Sequence, residues 1–86
     1  MKQFTYTIKD ALGIHARPAG LLAKKAKSYA DTAVTITANG KTVNLGQLMK
    51  LMALGVKQGT EVTITCDGAN EEEAAAGLKA FLEENL

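Results

Sequence analysis

Gly13-Ile14-His15-Ala16-Arg17-Pro18-Ala19 is the stretch on which the reading of this chain turns. It holds the only histidine and the only proline in the sequence, and a helical run follows at once from Gly20 and Leu21 to Tyr29. Proline is tolerated in the first turn of a helix, where backbone N–H groups have no intrahelical acceptor. A helix that starts near Ala16 therefore carries Pro18 in its first turn and His15 at its N-cap. The N–H groups of Ala16 and Arg17 then point outward unpaired, at the positive end of the helix dipole. An imidazole, free amides and a guanidinium converging on one spot suit an anion, above all a phosphoryl group.

Working outward, residues 2–8 alternate, with Phe4, Tyr6 and Ile8 on one side and Gln3, Thr5 and Thr7 on the other, which predicts a half-buried strand. A turn region from Lys9 to Ile14 leads into the first helix, expected over about Ala16 to Tyr29. Its buried stripe is Ala19, Leu22, Ala23, Ala26 and Tyr29. Ala33 to Ala38 alternates again, and Asn39-Gly40 is the dipeptide that best accepts the positive φ angles of a tight hairpin. Lys41 to Asn44 is the return strand. A short second helix runs through Gln47 to Leu54 and ends at Gly55 as a C-cap glycine. Glu61 to Cys66 is a strand with Val62, Ile64 and Cys66 inward. Asn70 is the expected N-cap of the last helix, with Glu73 as its capping-box partner. Ala74, Leu78, Phe81 and Leu82 supply that helix's buried stripe. The order β-α-β-β-α-β-α predicts an α+β open-faced sandwich: a four-stranded antiparallel sheet covered on one face by three helices.

Eighty-six residues, 47% hydrophobic and 22% charged, read as one domain over residues 1–86 with a thin core. The net charge of +1 offers no field for nucleic acid or an anionic membrane. No apolar run reaches the ~20 residues of a membrane span, so no membrane insertion is expected. A single cysteine, Cys66, excludes an internal disulfide and fits a reducing cytoplasm. One histidine and one cysteine match no ligand spacing, so no metal is expected.

The seven residues quoted above resemble the active-site signature of HPr, the histidine-containing phosphocarriers of the bacterial sugar phosphotransferase system. The likeness continues through Asn39-Gly40-Lys41-Thr42-Val43-Asn44-Leu45, Leu54-Gly55-Val56, Gly59-Thr60 and the acidic start of the last helix, which is nearly the whole chain. The resemblance implies that His15 accepts a phosphoryl group on Nδ1 from phosphorylated Enzyme I, supplied in turn by phosphoenolpyruvate. His15 then passes it to the IIA domain of a sugar transporter. Arg17 would hold the phosphoryl oxygens, and the amides of Ala16 and Arg17 would solvate them. A carrier of this kind is not itself an enzyme, needs no cofactor and is expected to act as a monomer. The helix dipole stabilises the added charge by about 0.3–1 kcal/mol, modest enough for the group to be passed on.

The second helix is apolar almost all round. Leu51 and Leu54 are expected in the core. Leu48, Met49 and Met52, with Gly20 and Gln47, are expected to dock partners inside a rim of Lys24, Lys27 and Lys50. In many HPr proteins of low-GC Gram-positive bacteria a serine at the start of this helix is phosphorylated for regulation. Here the region reads Gly46-Gln47, and neither residue has a hydroxyl. Gly20 stands where a larger residue is expected, at a cost of about 0.5–1 kcal/mol to the first helix.

Overall fold

The computed structural model describes residues 1–29 and 31–86, apart from the side chain of Leu48. The docking role expected of that side chain therefore lies outside the described residues. Seven elements follow one another: β1 (Lys2–Thr7), α1 (Ala16–Lys27), β2 (Thr32–Ala38), β3 (Lys41–Asn44), α2 (Leu48–Ala53), β4 (Glu61–Gly68) and α3 (Glu71–Asn85). The strands form one sheet in the order β1-β4-β2-β3, with every neighbouring pair antiparallel.

Register converts the alternating sequences into two faces. Phe4, Ile64, Ile36 and Val43 stand opposite one another across all four strands and face the helices. One residue along, Thr5, Thr63, Thr37 and Thr42 form a matching row on the open face. There the hydroxyls of Thr37 and Thr42 share a hydrogen bond of 2.7 Å. The buried face meets Ala19, Leu22 and Ala26 of α1, Leu51 of α2, and Ala74, Leu78 and Leu82 of α3 in one apolar cluster. Cys66 is a small buried member of that cluster, and burial pushes its thiol pKa up.

Gly13 and Gly40 are among the glycines that the backbone requires. Gly13 has φ +66°, and a Cβ there would overlap the Val56 carbonyl and come within 2.8 Å of Lys57 Cα. The Asn39-Gly40 turn has φ of 53° and 78°, the pairing expected of a tight hairpin. The Asn39 side chain also donates to the Leu54 carbonyl at 3.0 Å, tying the hairpin to the end of α2.

Three expectations need correction. The first helix stops at Lys27 rather than Tyr29, because the Ser28 hydroxyl takes the Lys25 carbonyl at 2.6 Å and Tyr29 N–H tightens onto Ala26. The capping box of Asn70 and Glu73 does not form. Asn70 has φ −112° and ψ 30°, outside the extended region a capping side chain needs, and its N–H is already taken by Thr32 Oγ1 at 3.0 Å. Phe81 is only half-buried, packed against the core edge between α1 and α3.

Candidate functional site

His15 is the N-cap of α1, in extended backbone at φ −101° and ψ 179°, and its side chain makes no capping bond. The first helical bond runs from Ala19 N–H to the His15 carbonyl at 2.9 Å. Pro18 is buried and has no N–H to offer, so only Ala16 and Arg17 precede that bond with free donors. Neither N–H has an acceptor among the described residues, and no acidic side chain occupies the first turn. The His15 side chain is 38% exposed. With Arg17, Pro18, Leu21 and Asn85 it lines a shallow depression of about 200 Å³.

The loop before the helix holds this geometry. Gly13 N–H donates to the Asp10 carbonyl at 2.9 Å, and Ile14 N–H to the Val56 carbonyl at 3.2 Å. Buried Ile14 then anchors the residue next to His15. Asp10 Oδ1 accepts from Leu12 N–H at 2.8 Å and lies 4.0 Å from His15 Nε2.

Unpaired amides and a guanidinium around an accessible imidazole form a set of donors for a multiply charged oxyanion. Among the described residues, no group of three or more His, Cys, Asp or Glu side chains is arranged to hold a metal ion.

The residues expected to dock partners fall as follows. Met49 is 80% exposed and Met52 41%, while Leu51 and Leu54 are buried. Lys24, Lys27, Gln47 and Lys50 are exposed, and Gly20 is intermediate. Helix α2 packs on α1, and the Lys27 stem runs beside Gly46, 3.3 Å from where a Cβ on that glycine would stand. Three neighbours of His15 escaped the sequence reading. Asp10 was visible only as a turn former, and Asn85 arrives from the far end of the chain. Leu21 left a signal: it lies outside the apolar stripe of its helix, and it is 47% exposed.

The family model described as the PTS HPr component phosphorylation site matches residues 2–84. The chain belongs to the HPr family. Members of this family are phosphocarriers of the phosphotransferase system and not enzymes. The chain is 44% identical over 85 residues to the phosphocarrier protein HPr of Mycoplasma genitalium, covering 99% of this chain and 97% of that protein. It superposes on a solved mycoplasma histidine-containing phosphocarrier with a TM-score of 0.92 at 40% identity, covering 96% of this chain and 93% of the other. An HPr of Thermoanaerobacter tengcongensis, solved as a dimer, aligns with a TM-score of 0.76 at 37% identity over 98% of this chain and 95% of its own. Members of the family thus occur as dimers, and membership alone does not make this chain a monomer.

Proposed function

We propose that His15 carries the phosphoryl group, accepting it on Nδ1 from phosphorylated Enzyme I and delivering it to IIA domains of sugar transporters in the cytoplasm. The observation that carries this reading is the accessible His15 ring at a helix start whose two foremost N–H groups, those of Ala16 and Arg17, have no acceptor among the described residues. Those amides and the Arg17 guanidinium neutralise the phosphoryl oxygens as the bond to phosphorus forms. Transfer between two histidines depends on such positioning and charge stabilisation more than on covalent help from the carrier. Met49 and Met52, with Gly20, Gln47, Lys24 and Lys27 around them, form the docking surface. Methionine adapts its shape to more than one partner. The single chain is the working form, since one protomer supplies His15 and the exposed patch together.

Incubation with Enzyme I and phosphoenolpyruvate, read by intact mass, tests the assignment. One acid-labile phosphoryl group is expected on the parent chain and none on His15→Ala. An acid-stable adduct, or labelling of the alanine variant, overturns it.

A further inference from the structure

The geometry points to Asp10 as a positioning residue that holds the proton of the His15 ring on Nε2 and leaves the Nδ1 lone pair for phosphorus. This inference rests on the reading of His15 as the phosphoryl acceptor. Asp10 lies in the loop between β1 and α1, and its carboxylate is placed before any partner arrives. Its N–H donates to the Leu86 carbonyl at 2.8 Å, its carbonyl accepts from Gly13 N–H at 2.9 Å, and its Oδ1 accepts from Leu12 N–H at 2.8 Å. Two of these bonds fix the main chain of the residue and the third holds Oδ1, which lies 4.0 Å from Nε2.

The other groups around the ring do not compete for this role. Arg17 from α1 is a cation, while Asn85 from α3 and Pro18 and Leu21 from α1 carry no charge. Among the described residues the ring has no other ion-pair partner. A carboxylate at this distance favours the ring form whose N–H faces it, and the ring nitrogen without such a partner keeps its lone pair.

The same contact matters after transfer. The Nδ1 lone pair forms the bond to phosphorus as the donor's N–P bond breaks, and that electron pair leaves with the donor nitrogen. The ring now bears a positive charge with its proton still on Nε2, facing the Asp10 carboxylate. On delivery the Nδ1–P electron pair returns to the ring, which departs as neutral imidazole. Without the proton on Nε2 it would have to depart as an imidazolate anion, a far poorer leaving group. Asp10 therefore keeps the carried group transferable.

Asp10→Asn separates this role from turn formation, because the asparagine Oδ1 still accepts from Leu12 N–H while the charge is gone. Ring ¹⁵N NMR on the unphosphorylated proteins is expected to show mainly protonated Nε2 in the parent. The variant should move towards protonated Nδ1 by about two- to fivefold in the ratio of the two forms. After loading by phosphorylated Enzyme I, delivery from the variant to a IIA domain should slow by about three- to tenfold, with Asp10→Glu recovering part of the loss. Identical ring-nitrogen shifts in parent and Asp10→Asn, or unchanged delivery, overturn the proposal and leave Asp10 a turn residue. If the shifts differ as expected but neither chain takes up a phosphoryl group, the carrier reading fails and the role in transfer falls with it, while the ring-proton assignment stands.

Discussion

At the start of α1 no acidic side chain occupies the first turn, whereas α3 opens with Glu71, Glu72 and Glu73. Both helices expose the positive end of a dipole, and they differ in what meets it. Around α3, Asn70 N–H is taken by Thr32 Oγ1, and Glu71 pairs with the Met1 ammonium at 2.6 Å. Around α1, the N–H groups of Ala16 and Arg17 have no acceptor among the described residues, and the Asp10 carboxylate lies beside the histidine ring, 4.0 Å from Nε2. One helix start is neutralised by the chain's own carboxylates. The other has no carboxylate in its first turn, and in the role proposed for His15 that leaves it open to a charge that comes and goes.

Making α1 resemble α3 is the harshest test of that contrast. Arg17→Glu puts a carboxylate in the first turn of α1, so the fold should persist, with stability unchanged or raised by about 0.3–1 kcal/mol in thermal melts. Phosphoryl transfer from Enzyme I should nonetheless fall by about 10²-fold, as when one oxyanion donor is lost and a like charge added. Rates equal to the parent's would remove Arg17 from the site. On the proposed docking face, Met49→Asp should raise the KM for Enzyme I by about tenfold, the loss typical of a truncated interface anchor, while the melting temperature stays put. A matching fall in stability would instead make Met49 part of the core.

Gly20→Ala probes the body of α1. The site is helical, and a Cβ there would meet nothing within 4 Å, so about 0.5–1 kcal/mol of added stability is expected in chemical denaturation. No gain would mean that the glycine is needed by the backbone. The smallest effect belongs to the start of α3. A hydrogen bond from the Met1 ammonium, with smaller contributions from Gly68 N–H and Lys2, holds the Glu71 carboxyl below the ordinary value of 4.5. A lowered carboxyl contributes stability above its unfolded value and loses it as pH falls through the folded one. Parent and Glu71→Gln should therefore differ slightly in melting temperature at pH 6, and the gap should close as pH drops below about 4.5. A gap independent of pH would remove Glu71's charge from the account.

Much of the site was legible because its signals are local. Pro18 marks the start of a helix, and that start makes His15 an N-cap whatever lies elsewhere in the chain. Asn39-Gly40 encodes its turn in two residues, and the register of β2 with β3 follows from it. The Asn70 capping box failed because Thr32, 38 residues away, had already taken the Asn70 N–H. Asp10 read as an ordinary turn residue because nothing in Lys9-Asp10-Ala11-Leu12 shows that the oxygen closing the turn onto Leu12 N–H will also lie beside the His15 ring.

The element order, the inward and outward faces of each strand, and the histidine at a helix start followed from the sequence alone, since spacing of two or three to four residues and the chemistry of Gly, Pro and Asn act within a single turn or strand. Only the folded chain decided that β4 inserts between β1 and β2, that Asp10 comes to face Nε2, and that Asn85 arrives beside His15. Those outcomes depend on which apolar faces bury one another across long loops, and the free energy of that burial belongs to the assembled core rather than to any one segment.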